Sequence, residues 1–176
     1  MQTKREIQEL LASAGVLPNK QLGQHFLIDL NLMRLLIDSA GIKSEDAVLE
    51  VGCGTGSLTE GLAREARKVV SVEVDQTVAR IARGRLAGAE NIEIINTDAL
   101  ESKNAINPDV VRALTAARKS CGGRLLLVAN LPYNIASPLM LNLVRGEVIA
   151  DAMYVTVQKE VAERMTAQAG GGEYGS

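Results

Sequence analysis

Three short segments of the chain combine residue types that bind or react with small polar groups. They are the glycine-rich segment 52–56 (Gly-Cys-Gly-Thr-Gly), the acids Glu73 and Asp98, and the segment 130–133 (Asn-Leu-Pro-Tyr). Glycines permit a tight turn and let backbone N–H groups come close to a ligand. Carboxylates accept hydrogen bonds from hydroxyl and amino groups. Together these segments predict a site for a polar small molecule.

The glycine-rich segment follows an apolar run that ends with Glu50-Val51 and precedes a helical pattern. Its spacing is GxGxG, and not the GxGxxG of sites that bind dinucleotides through a pyrophosphate. The shorter form suits the adenosine and methionine parts of S-adenosylmethionine, which has no pyrophosphate. A glycine-rich turn alone is also compatible with a purely structural turn.

Two acids extend this pattern. Glu73 ends the second strand-like run, 23 residues after Glu50, where an acid can accept hydrogen bonds from ribose hydroxyls. Asp98 follows the third run, where a carboxylate can accept from the adenine amino group. A single acid after a strand is often only a helix cap, and this alternative stays open for Asp75. The glycine turn and the two acids, in this order, predict a bound adenosine cofactor, S-adenosylmethionine.

The segment 130–133 follows the fourth strand-like run and places one of the few aromatic residues beside the predicted cofactor. Read conservatively, it is a turn. For methylation of an exocyclic amine, the Asn130 side-chain oxygen and the Leu131 carbonyl can accept the two amine hydrogens and favour a pyramidal nitrogen. Pro132 stiffens the turn, and Tyr133 can stack on the target base. No base is needed before attack, because the amine proton can leave afterwards.

Strand-like runs alternate with helical patterns along most of the chain. The strands are predicted at 47–51, 69–74, 92–95, 124–129 and 153–157. The helices between and after them are predicted at 58–66, 77–86, 109–120, 139–145 and 160–169, and two more helices precede the first strand, the second of them from Asp29 to Gly41. This alternation predicts an α/β fold with a doubly wound, mostly parallel sheet.

Several helix ends carry their own signals. Ser57 with Glu60 predicts a capping box, and Asn107-Pro108 and Ser137-Pro138 predict N-caps followed by proline. Gly122 and Gly146 are predicted to be left-handed residues at helix C-termini.

Composition excludes several classes of function. Hydrophobic residues make up 47% of the 176 residues and charged residues 23%, so the chain can bury a core. Two cysteines and one histidine cannot build a disulfide framework or, together, a zinc site. No apolar run is long enough to span a bilayer. We therefore expect a cytoplasmic protein without a metal or a membrane segment; its net charge of −2 does not itself indicate nucleic-acid binding.

The chain resembles the bacterial small-subunit ribosomal RNA adenine N6-dimethyltransferases, the family associated with kasugamycin sensitivity. The resemblance rests on the segments 22–27, 50–59, 72–75, 97–100, 130–138 and 157–164. It implies a Rossmann-like methyltransferase fold, S-adenosylmethionine as cofactor, and dimethylation of adenines in small-subunit ribosomal RNA during ribosome maturation. It also implies that the cofactor-binding residues are His25, Leu27, Gly52, Gly54, Gly56, Glu73, Asp98 and Asn130, and that the catalytic segment is Asn130, Leu131, Pro132 and Tyr133.

The chain departs from the family in length, since family members continue well beyond the position of Ser176. We expect residues 1–45 to form a helical segment with the cofactor-closing loop, and residues 46–176 to form a methyltransferase core without the last strands and the helical C-terminal domain. Such a core could be inactive alone. Two alternatives stay open: a large-subunit ribosomal RNA methyltransferase of the macrolide-resistance type, and a non-catalytic RNA-binding or ribosome-assembly factor. The oligomeric state is not predicted.

Overall fold

The computed structural model describes residues 2, 4–13, 15, 29–132 and 134–157, and this part of the chain forms alternating strands and helices. In chain order the elements are α1 (Lys4–Ser13), α2 (Leu30–Ala40), β1 (Ala47–Val51), α3 (Ser57–Glu65), β2 (Lys68–Glu73), α4 (Gln76–Arg85), β3 (Ile92–Asn96), β4 (Leu100–Ser102), β5 (Ala105–Ile106), α5 (Pro108–Ser120), β6 (Leu125–Asn130), α6 (Ala136–Arg145) and β7 (Ala152–Thr156).

Five of the strands form one parallel sheet in the order β3-β2-β1-β6-β7. The chain builds outward from β1 through β2 to β3, and then crosses back to place β6 on the other side of β1. Between β1 and β6 the direction of winding therefore reverses. In open α/β sheets, ligands bind beyond the carboxyl ends of the strands at such a reversal. The glycine-rich segment and Asn130 both lie there.

The core divides into two layers, one on each face of the sheet. Leu49, Leu127 and their neighbours at alternate positions pack with α5 and α6, whereas Val48 and Leu126 pack with α2 and α3. Side chains of a strand alternate between the two faces, and every residue of β1 is buried. Apolar residues at both odd and even positions of a strand therefore indicate a strand that is covered by helices on both faces of the sheet. The α/β fold with a doubly wound parallel sheet is confirmed.

The predicted strand bounds agree with the structure to within one residue, and several predicted caps are confirmed. Asp29 and Asn107 accept backbone N–H groups as N-caps of α2 and α5. Gly41 and Gly122 have positive φ angles of 50° and 53°. Asp75 caps α4 through its Oδ1, which accepts the N–H groups of Thr77 and Val78. The helix predicted at 160–169 lies outside the described residues.

Three cap predictions were wrong. The N-cap of α3 is Gly56, so Ser57 is already helical and forms no capping box. Helix α6 begins before Ser137, with Ile135 at its N-cap. Gly146 has a φ of −85° and is not left-handed; a Cβ there would lie 2.4 Å from the Asn142 carbonyl oxygen, so close packing explains the glycine.

A short antiparallel hairpin, β4–β5, was not predicted. It lies between Ala99 and Asn107, and the Asn107 N–H closes its base by donating to the Ala99 carbonyl. The hairpin follows Asp98 directly and thus fixes the end of the loop that carries this acid. Among the described residues, no helix has the length and apolar character needed to cross a bilayer.

Candidate active site

The glycine-rich segment forms the turn between β1 and α3, and it needs its glycines. Gly52, Gly54 and Gly56 have φ angles of 79°, 56° and 80°, a region that side chains with a Cβ rarely adopt. The Gly52 N–H donates to the Val72 carbonyl at 2.8 Å, which attaches the start of the turn to β2. The turn thereby leads directly into the N-terminus of α3 at the reversal point of the sheet.

Glu73 ties the glycine turn to the end of β2. Its Oε2 accepts the Gly54 N–H at 2.9 Å and its Oε1 accepts the Asp75 N–H at 3.0 Å. Only 4% of the residue is exposed. Burial raises the pKa of the Glu73 carboxyl, although the backbone N–H groups oppose this shift. The two backbone N–H groups thus hold the Glu73 carboxylate beside the glycine turn.

Glu50 is a second buried acid at this edge, and the sequence reasoning did not assign it a role. It lies in β1, and its Oε2 accepts the hydroxyls of Thr59 at 2.6 Å and Ser71 at 2.7 Å. Burial, with a smaller contribution from the nearby Glu73 charge, raises the pKa of Glu50 to about 7, although the hydrogen bonds from the two hydroxyls oppose this shift. The sequence did contain a signal for this role, because Glu50, like Glu73, is an acid near the end of an apolar strand.

Cys53 lies between the two acids but offers no nucleophile. The thiol is buried, and burial together with the charges of Glu50 and Glu73 raises its pKa. Since the thiolate is the reactive form, the thiol is inert. The interpretation of Cys53 as a small buried residue is consistent with this position.

The segment after β6 faces the glycine turn from the other side of the reversal point. Asn130 ends β6, and the Pro132 ring lies 3.4 Å from where a Cβ on Gly52 would stand. The side chain of Leu131 is buried in the core below the turn. This separation is ordinary van der Waals contact, so the positive φ of 79° at Gly52, and not a lack of space, is what favours glycine there.

One cavity collects most of the predicted site residues. It is lined by Gly52, Gly54, Glu73, Asp98, Asn130 and Pro132, and also by Glu50, Cys53 and Thr97. Gly56 does not line it; a Cβ there would lie 2.6 Å from the Leu86 side chain, so this glycine lets α4 pack against the turn. His25, Leu27 and Tyr133 lie outside the described residues.

The N-terminal segment contributes to the cavity, which the sequence did not reveal. The Gln2 side-chain oxygen accepts the hydroxyls of Thr55 at 2.8 Å and Ser57 at 3.0 Å. Ile7 of α1 lines the cavity. These contacts join residues more than fifty positions apart, and no local pattern signals them.

Arg85 fixes the glycine turn from the outside. It lies at the end of α4, donates to the Thr55 carbonyl, and pairs with Glu60 of α3 at 2.5 Å. Helices α3 and α4 are thereby linked on either side of the turn, which makes the backbone of the turn a rigid platform.

The arrangement offers hydrogen-bond acceptors and backbone N–H groups in a mainly apolar cavity. The carboxylates suit a diol and an amine, and the asparagine amide suits a second amine. No group of His, Cys, Asp and Glu side chains within the described residues is placed to hold a metal ion. Such a site can hold a nucleoside-containing cofactor next to an amine-bearing substrate.

Comparisons with known proteins give one consistent result. Residues 16–176 match the family model "Ribosomal RNA adenine dimethylase". The chain is 40% identical over 174 residues to ribosomal RNA small subunit methyltransferase A of Staphylococcus haemolyticus, covering 99% of this chain and 56% of that protein. It is 42% identical over 157 residues to the protein of the same name from Staphylococcus carnosus, covering 89% and 51%. The chain thus spans about half the length of the curated relatives it matches.

Two solved structures share the fold. A dimethyladenosine transferase from Plasmodium falciparum is 32% identical, with a TM-score of 0.68 over 85% of this chain and 49% of that chain. The 23S rRNA methyltransferase ErmE is 30% identical, with a TM-score of 0.63 over 81% and 51%.

Proposed function

Because the chain belongs to the ribosomal RNA adenine dimethylase family, we propose that it binds S-adenosylmethionine at the carboxyl edge of its sheet and forms the core of an enzyme that dimethylates adenine N6 in small-subunit ribosomal RNA. The observation that carries the proposal is that the glycine turn, Glu73, Asp98 and Asn130 line one cavity at the reversal point. Its relatives named for small-subunit methylation support the choice of ribosomal RNA.

The cavity fits the parts of the cofactor. Glu73 is buried and bridges two backbone N–H groups with its two oxygens, so its remaining lone pairs can accept the two ribose hydroxyls. Asp98 has one oxygen fixed by the Leu100 N–H at 3.0 Å, which leaves acceptor capacity for the adenine amino group. Gly52 and Gly54 line the cavity and keep it open near the turn.

When bound, the cofactor supplies an electrophilic methyl group, and the protein's task is to present the target amine. The lone pair of an aromatic amine is delocalised into the ring, which makes the amine a poor nucleophile. Acceptors at Asn130 Oδ1 and the Leu131 carbonyl hold the two amine hydrogens and stabilise the pyramidal nitrogen as it forms. Tyr133 is proposed to stack on the target base.

His25 and Leu27 are proposed to contact the methionine end of the cofactor, as the family resemblance implies. The division into residues 1–45 and residues 46–176 also stays a prediction. A cytoplasmic location fits a ribosomal RNA substrate and is part of the same proposal.

The test is transfer of a radiolabelled methyl group to immature small subunits from a bacterial strain that lacks its own adenine dimethyltransferase. The protein is produced at the full length of its gene, and mature small subunits and large-subunit RNA serve as comparisons. Label in N6,N6-dimethyladenosine of the immature small subunit alone supports the proposal. Label in large-subunit RNA would favour the macrolide-resistance type, and tight RNA binding without label would favour a non-catalytic factor.

A further inference from the structure

The side chain of Asn130 is held by a residue that the sequence reasoning did not single out. Strands β6 and β7 are parallel neighbours, and their register pairs Asn130 with Thr156 at the carboxyl ends of both strands. The Thr156 hydroxyl donates to Asn130 Oδ1 at 2.5 Å, and the Thr156 carbonyl accepts the Leu131 N–H at 3.3 Å. The start of the segment 130–132 is therefore attached to β7 by both backbone and side chain.

The Thr156 hydroxyl faces the oxygen of the Asn130 side-chain amide at 2.5 Å. Asn130 lines the cavity whereas Thr156 does not, so Thr156 can act on a substrate only through Asn130.

From this contact we infer that Thr156 is a positioning residue for methyl transfer, an inference that rests on the proposed function. The Thr156 hydroxyl restrains the Asn130 amide at its oxygen, the atom that the proposed function uses as an acceptor for the target amine. Without the hydroxyl the amide loses this restraint on its last torsion.

The test compares Thr156→Val, Thr156→Ser and Thr115→Val in the protein at the full length of its gene. Valine keeps the branched shape suited to a strand but removes the donor, whereas serine keeps the donor. Thr115 is an exposed threonine on α5 whose hydroxyl donates to the Val111 carbonyl, remote from the sheet edge. We expect the single-turnover methyl-transfer rate of Thr156→Val to fall about tenfold, the effect of one hydrogen bond. Cofactor affinity should not change, and the serine and Thr115 variants should match the parent.

A second measurement does not depend on activity. In the ¹⁵N-labelled 176-residue chain, the side-chain amide signals of Asn130 are identified by their absence from Asn130→Ala. Thr156→Val should shift and broaden these two signals, and Thr156→Ser and Thr115→Val should leave them in place. Unchanged amide signals in Thr156→Val, or a parental transfer rate, would overturn the inference. If the parent protein binds the cofactor but transfers no methyl group, the proposed function fails, and the amide signals alone decide whether Thr156 orients Asn130.

Discussion

Buried carboxylates at the two edges of the sheet have different partners, and their pKa values are shifted in opposite directions. At the amino edge, Asp46 precedes β1, is 1% exposed, and accepts the N–H groups of Lys43 at 2.9 Å and Arg124 at 2.8 Å. The Arg124 guanidinium adds a bond of 2.6 Å and also reaches the Gly41 carbonyl at 2.7 Å. Burial raises the pKa of Asp46, but these donors outweigh it, so its pKa lies below the ordinary value.

At the carboxyl edge, Glu50 and Glu73 are equally buried but are held by hydroxyls and backbone N–H groups. Within the described part of the chain neither has a cationic partner, and both pKa values are raised. Burying a charge without a counter-charge costs free energy. The amino edge therefore pairs its buried carboxylate with a cation, whereas in the described part of the chain the carboxyl edge holds its two buried carboxylates with neutral donors alone.

The largest expected effect comes from Asn130→Ala, which should disable the carboxyl edge without affecting the amino edge. The acceptor matters chiefly as the amine becomes pyramidal, so methyl transfer should fall by about 10²–10³-fold, as for loss of a group that stabilises the transition state. RNA affinity and thermal stability should stay close to the parent. Single-turnover kinetics with the full-length protein measures the rate. An equal fall in RNA affinity would show that Asn130 binds substrate and does not activate it.

Glu50→Gln should change how stability depends on pH. The folded-state pKa of Glu50 is raised to about 7 from 4.5, so the unfolded chain releases its proton first as pH rises. Between these values the free energy of unfolding of the parent should fall, by at most about 3 kcal/mol at about 1.4 kcal/mol per unit. Glutamine imitates the protonated form, so the variant should lack this fall and exceed the parent in stability above neutral pH.

Urea unfolding of the ligand-free chain at several pH values measures this difference. Because the charge of Glu73 acts on Glu50, the difference between the two stability curves reports the titration of Glu50 together with this interaction. Parallel stability curves for parent and variant would show that the Glu50 carboxyl is not desolvated as described.

Asp46→Asn should have the opposite effect at the other edge. The amide keeps the shape of the carboxylate but loses the charge, and its NH₂ group cannot accept the Arg124 donors. We expect a loss of about 2 kcal/mol in the free energy of unfolding at neutral pH, the value of hydrogen bonds to a charged group. Because the folded pKa of Asp46 is lowered, this contribution is present above its ordinary pKa and disappears on acidification. A loss of cofactor affinity as large as the loss of stability would contradict the separation of the two edges.

The sequence predicted the fold well because the buried strands carry their own signal. Runs rich in apolar, branched residues gave bounds for the five parallel strands that lie within one residue of the structure. The hairpin β4–β5 was not predicted, because strands of three and two residues are too short to show an alternation of apolar and polar residues. The N-cap predictions at Ser57 and Ser137 were wrong, because a serine at the start of a helical pattern can lie in the first turn of the helix as well as at its N-cap.

The candidate site was predicted only where its residues follow strands in sequence. Glycine turns and acids after strands have a local pattern, which is how Gly52, Glu73, Asp98 and Asn130 were found. The docking of Gln2 on Thr55 and Ser57, and of Thr156 on Asn130, joins distant positions through side chains. These contacts arise from the strand register and helix packing, and so they became visible only in the folded chain.

The central claim, that the carboxyl edge is a cofactor pocket, is tested most directly by calorimetric titration of the 176-residue chain with S-adenosylmethionine. The parent should bind one equivalent. Glu73→Ala should bind at least about tenfold more weakly, because it loses charge-assisted hydrogen bonds to the ribose. Glu93→Ala makes the same substitution at an exposed position of β3, where Glu93 pairs with Lys68, and it should bind like the parent. Equal affinity of the Glu73 variant and the parent, or no binding by a folded parent chain, would contradict the account.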